Sequence, residues 1–142
     1  MEPTPEAYVS RMVEVFRAVR RVLRADGTLW LNLGDTYAGS WGAQGGATNL
    51  SVPPQGVYQK RSPGRSPTGA LKPKDLVGIP WRVAFALQSD GWYLRQDIIW
   101  HKLNPMPESV RDRCTKAHEY VFLLTKSARY HYDADAIKTT SK

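Results

Sequence analysis

The residues best equipped for chemistry lie in Trp100-His101-Lys102-Leu103-Asn104-Pro105-Met106-Pro107. Trp100 offers a flat aromatic face, Lys102 a compact cation, and Asn104 an amide that both donates and accepts hydrogen bonds. Pro105 and Pro107 stiffen the backbone around them, since neither can donate to a strand ladder. Downstream, Lys116 and the pair His118-Glu119 precede an apolar run. His118-Glu119 invites an acid–base or metal reading. Adjacent strand residues point to opposite faces, so the pair is a poor chelate, and the spacing supplies no third ligand. No metal site is expected. Cys114 is the single cysteine. No partner marks it as a nucleophile, no internal disulfide can form, and a reducing compartment is compatible.

Two strands are needed to position these groups. The run from Trp92 to Trp100 reads as one long strand, ending in the apolar Ile98-Ile99-Trp100. The run Tyr120 to Thr125 reads as the other, and the charged segment 108–116 bridges them as a loop. Their short separation favours an antiparallel pair, with His118 and the Asn-Pro loop at the same end. In open α/β sheets, ligands bind at strand ends.

Upstream, Thr4 and Pro5 open a helix as N-cap and first helical residue. Val9, Met12, Val13, Phe16, Val19 and Leu23 form its apolar stripe, and Gly27 is expected to cap its end. Arg17, Arg20, Arg21 and Arg24 lie off the stripe; a solvated face is the reading, phosphate contact the alternative. Thr28-Leu29-Trp30-Leu31-Asn32-Leu33 reads as a strand, and its near-continuous apolarity predicts a central place in the sheet. A helix leading into a strand is half of a βαβ unit. A second helix is expected after Asp75 as N-cap, with Leu76, Val77, Ile79, Val83, Ala84, Ala86 and Leu87 as its apolar surface and Asp90-Gly91 as its end. Residues 134–142 look frayed or linker-like.

Length and composition fit one modest globular domain over residues 1–142. Hydrophobic residues make up 42% and charged residues 23%, with a formal net charge of +7. That charge favours an anionic partner, of which nucleic acid is the commonest; a merely basic surface is the alternative. The positive charge collects in residues 36–74, where Lys60, Arg61, Arg65, Lys72 and Lys74 mix with Gly, Ser and Pro and no acid appears. This reads as a long loop or a disordered segment, either wrapped on a phosphate backbone or a plain surface insertion. No apolar run approaches the roughly 20 residues of a bilayer span. No charged-then-apolar leader is visible, so a cytoplasmic protein is the default expectation.

Four ordered stretches carry a resemblance. They are Gly-Thr-Leu-Trp-Leu-Asn-Leu-Gly-Asp (27–35), Asp-Leu-Val-Gly-Ile-Pro-Trp-Arg (75–82), Gly-Trp-Tyr-Leu-Arg-Gln-Asp-Ile-Ile-Trp-His-Lys-Leu-Asn-Pro-Met-Pro-Glu-Ser (91–109) and Lys-Ala-His-Glu-Tyr-Val-Phe-Leu-Leu-Thr-Lys-Ser (116–127). In this order the chain resembles the DNA methyltransferases that modify exocyclic amines, the N4-cytosine and N6-adenine enzymes of restriction-modification and phage origin. The resemblance implies an α/β fold: a partial Rossmann-like methyltransferase sheet with a terminal antiparallel hairpin and flanking helices. It implies S-adenosylmethionine as cofactor of the complete enzyme and DNA as partner. Trp100, Lys102, Asn104, Pro105 and Met106 would then line the target-base or DNA side. His118 would start the neighbouring strand, with Asn32 and Asp35 at a strand end facing the same cleft. Such enzymes flip a base out of the duplex, at a cost of a few kcal/mol. Stacking on Trp100 or Trp92 would return about 1–3 kcal/mol; a core role is the alternative for a strand tryptophan. Asn104 would read a base edge or simply form an Asn-Pro turn. Lys102, Arg111, Arg113 and Lys116, with Lys60, Arg61 and Arg65, would hold the DNA backbone.

The family's catalytic Pro-Pro-Tyr motif does not occur in the chain; Val52-Pro53-Pro54-Gln55 lacks the aromatic. Nor does its Phe-x-Gly-x-Gly cofactor motif. The expectation is therefore an internal or truncated portion of a methyltransferase, inactive by itself. The competing class is a non-catalytic DNA-binding or partner-binding module, or one half of a split enzyme completed by a second chain or a second copy.

Overall fold

A computed structural model describes residues 4–38, 71–72 and 74–139. The basic cluster Lys60, Arg61 and Arg65 lies outside the described residues.

The first helix, α1 (Pro5–Val22), starts as its sequence dictates. The Thr4 hydroxyl accepts from the Ala7 amide at 3.1 Å, and Pro5 needs no partner for an N–H it lacks. Phe16 is its buried anchor; Tyr8, Val9, Met12, Val13, Val19 and Leu23 pack around the core. The helix ends at Leu23, not at Gly27. Gly27 serves the following turn through its size: a Cβ there would lie 2.5 Å from Leu23 Cγ.

The chain then enters β1 (Thr28–Asn32), crosses to the helix α2 (Ile79–Ser89), and returns as β2 (Tyr93–His101) and β3 (His118–Thr125). The sheet order is β1-β3-β2, with β3 antiparallel to both neighbours. Among the described residues β1 is thus a margin of the sheet, where its apolarity had predicted the centre. The reason is that Leu29 and Leu31 face the core while Trp30, on the other face, stays half exposed.

Directly paired residues share a face of the sheet. Leu31 opposite Phe122 and Leu29 opposite Leu124 define the face on which both helices pack. Val83, Ala84 and Leu87 of α2 are fully buried against it. The Trp81 ring stands edge-on to Phe122 at 4.8 Å and to Tyr120 at 5.4 Å. Trp92 precedes β2 and is buried in this core, 2% exposed, rather than available for stacking. The opposite face carries Trp30, Asn32, Ile98, Trp100, Glu119 and Val121.

Asp75 does not cap the second helix, because α2 begins four residues later at Ile79. Gly78 occupies the cap position with φ 75°, left-handed backbone that disfavours a side chain. The capping oxygen comes from elsewhere: Asp35 Oδ1 accepts from the Gly78 and Ile79 amides at 2.9 and 3.0 Å. Asp75 instead accepts from the Lys72 amide at 2.8 Å. Arg17, expected in solvent, donates to Asp90 at the far end of α2 through Nε and Nη2. Arg82 reaches back to Glu6 at 3.2 Å. The helices are therefore laced at both ends.

The base of the 36–74 insertion is closed by backbone. Tyr37 bridges Leu76, the Ala38 amide donates to the Asp75 carbonyl at 2.7 Å, and the Val77 amide donates to Thr36 at 2.9 Å. No helix among the described residues is long and apolar enough to cross a membrane.

Candidate target-base site

Because β3 runs against both neighbours, the C-terminal ends of β1 and β2 meet the N-terminal end of β3 at one edge of the sheet. Trp100 pairs with Glu119 and His101 with His118; the ladder continues one step, the Lys102 amide donating to Ala117 at 2.8 Å. The expected hairpin is present, with the Asn-Pro loop leaving β2 beside the start of β3.

On the face away from the helices this end gathers Asn32, Lys102 and Glu119. Lys102 Nζ is ion-paired with Glu119 Oε1, both side chains partly buried. Asn32 Nδ2 donates to the Tyr120 carbonyl at 2.9 Å, fixing the amide beside the carboxylate. The Lys102 ammonium, and after it the Asn32 amide, hold the Glu119 carboxyl below its ordinary range. Glu119 is thus a charged anchor at neutral pH, and Lys102 is held at the mouth of the loop. His118 points to the other face and packs edge-on to Tyr120 at 5.3 Å. The two neighbours diverge, as strand geometry requires. Among the described residues no group of three or more His, Cys, Asp or Glu side chains is placed to hold a metal ion.

Trp100 is 63% exposed, so a large aromatic face is open to a partner. Past it, Leu103, Asn104 and Met106 are exposed and Pro105 is half-buried. Asp35 does not join this cluster by any hydrogen bond described. Its Oδ1 is taken up by the Thr36, Gly78 and Ile79 amides. It braces the strand end against α2.

The cations divide into two groups. Arg111 is exposed and Lys116 half-buried. Arg113 donates to Glu108 at 2.5 Å and to the Cys114 carbonyl at 3.2 Å, and lies over the Tyr37 ring at 4.3 Å. Lys74 donates to Asp112 at 2.6 Å. Tyr37 and Glu108 had no sequence signal; their contacts join segments more than 70 residues apart or span an irregular loop.

A helix-backed sheet that ends in an antiparallel hairpin, with polar groups converging at its strand ends, is an α/β arrangement of the kind a partial methyltransferase domain has. The chain belongs to the DNA methylase family, whose model matches residues 2–142. It is 54% identical over 132 residues to the type II methyltransferase M.SmaI of Serratia marcescens, an alignment covering 92% of this chain and 43% of that protein. It is 48% identical over 145 residues to M.Cfr9I of Citrobacter freundii, covering 97% and 44%. M.SfiI of Streptomyces fimbriatus is 45% identical over 138 residues, covering 97% and 29%. The chain thus spans less than half the length of these relatives.

Proposed function

We propose that this chain is the target-base half of an S-adenosylmethionine-dependent DNA methyltransferase that modifies N4 of cytosine or N6 of adenine, and that it transfers no methyl group by itself. The observation that carries the reading is the convergence of three strand ends. Asn32, Lys102 and Glu119 meet beside an exposed Trp100 and a proline-braced loop. A flipped base needs an aromatic surface, an edge to read and cations for the backbone around it. Trp100 supplies the surface, Asn104 the edge contact, and Pro105 and Met106 the rim, with His118 behind them. Lys102 is held by Glu119 where the loop departs, and Arg111 and Lys116 face the phosphates together with Lys60, Arg61 and Arg65.

The cofactor belongs elsewhere in the enzyme. Oδ1 of the strand-end Asp35 is committed to backbone amides, and Asn32 Nδ2 to a carbonyl. No glycine-rich motif of the family's type occurs in the sequence, which supports placing the adenosyl group on another part of the enzyme. Calorimetric titration of S-adenosylmethionine into the pure chain is expected to give no binding, while a labelled duplex is bound in a salt-dependent manner. Methyl transfer to DNA by the chain alone would overturn the reading. A split enzyme is the second reading. It is favoured by β1, whose outer edge is unpaired among the described residues and which leaves Trp30 51% exposed.

A further inference from the structure

Arg113 has the chemistry of a phosphate ligand and the surroundings of a fastener. Its guanidinium lies over the Tyr37 ring at 4.3 Å, donates to Glu108 at 2.5 Å, and donates to the Cys114 carbonyl at 3.2 Å. Ring, carboxylate and carbonyl together occupy its flat face and part of its fork of donors. Tyr37 is no free loop residue, since it bridges Leu76 in the short ladder that closes the 36–74 insertion. A second tie runs parallel to the first, from Lys74 on the insertion's return to Asp112, one residue from Arg113. Two segments far apart in sequence are thus pinned at two adjacent points, beside the loop that leaves β2.

We propose that Arg113 is a positioning residue: it fastens segment 108–114 to the base of the 36–74 insertion, so that both form one rigid wall beside the target-base site. The idea rests on the DNA-methyltransferase reading for what the wall faces, but not for the fastening. Arg113 then contacts no phosphate. Arg111, two residues before it, is exposed and takes the phosphate-contacting role in the proposal. Exchanging Arg113 for another cation would not preserve the wall, because lysine has neither the flat stacking face nor the fork.

The test is amide hydrogen exchange on the chain, paired with DNA binding across salt. In Arg113→Ala the amides of Ala38 and Val77, bonded across the base ladder, should exchange roughly three- to tenfold faster. Core amides of Phe122 and Leu124 should not change, which separates local unfastening from global destabilisation. Tyr37→Leu should reproduce the effect, and the double variant should add little to either. Arg113→Lys should restore only a part. Duplex binding by Arg113→Ala should weaken with the same salt slope, whereas Arg111→Ala should flatten the slope by about 1. Unchanged exchange at Ala38 and Val77, or a slope flattened by about 1 in Arg113→Ala, overturns the proposal. Failure of the parent chain to bind DNA at any salt would remove the DNA-facing role; the exchange data would still decide the fastening.

Discussion

Replacing Asp35 by alanine tests how much of this fold hangs on one oxygen. Asp35 Oδ1 accepts from three backbone amides, those of Thr36, Gly78 and Ile79, at 2.9 to 3.0 Å. Gly78 and Ile79 are the cap and first residue of α2, whose donors have no partner inside the helix. Losing a capping side chain costs about 1 kcal/mol, within a range of about 0.5–2. Losing a negative charge at a helix N-terminus adds about 0.3–1 kcal/mol. Together the change should lower stability by about 2 kcal/mol, or the melting temperature of a chain this size by about 6–8 °C. Asp35→Asn keeps an acceptor and loses the charge, so it should lose about half as much. Urea unfolding followed by circular dichroism gives the free energies, and faster exchange at the Gly78 and Ile79 amides gives the location. If Asp35→Ala stays within about 0.5 kcal/mol of the parent yet loses DNA affinity, Asp35 belongs to the base pocket and the capping argument is wrong.

The remaining predictions concern charge, core and loop. Glu119 has a folded pKa lowered by Lys102 and Asn32. Its ion pair is therefore intact above the ordinary glutamate range of about 4.3 and lost as pH falls through the lower folded value. Carboxyl carbon shifts should place the Glu119 titration below a free glutamate, and Glu119→Gln should make stability less dependent on acid pH; a normal or raised titration would refute the pair. Leu87 is fully buried in the core under the sheet, so Leu87→Ala should cost about 2–5 kcal/mol, read from the urea midpoint at constant slope. Replacing Lys60, Arg61 and Arg65 together by alanine should weaken duplex binding and flatten its logarithmic salt slope by about 2–3. Superimposable isotherms across salt would remove these three from the DNA surface.

Local signals carried much of the architecture. Thr4-Pro5 followed by an apolar stripe at three- and four-residue spacing specified α1, because capping and amphipathicity act within a turn or two. The apolar runs on either side of the Asn-Pro loop specified the antiparallel pair, with His118 at the same end as that loop, while the register that sets His101 opposite His118 belongs to the tertiary structure. Ordered motifs spread over most of the chain specified the methyltransferase family. The tertiary structure decided what local patterning cannot encode. Asp35 caps a helix that starts 44 residues later in the chain, and nothing near Asp35 announces that partner. Gly27 and Asp75 look like caps by composition, yet the backbone of Leu23, turning extended, ends the first helix and the Asp35 carboxylate caps the second. β1 reads as central, yet among the described residues it pairs with β3 alone and its Trp30 face stays half exposed, because apolarity along a strand records neither its neighbours nor what covers it. The strand order and the Arg113–Tyr37 contact follow from the same cause: each is fixed by which surfaces meet once the helices have packed, and a sequence records the surfaces without recording the meeting.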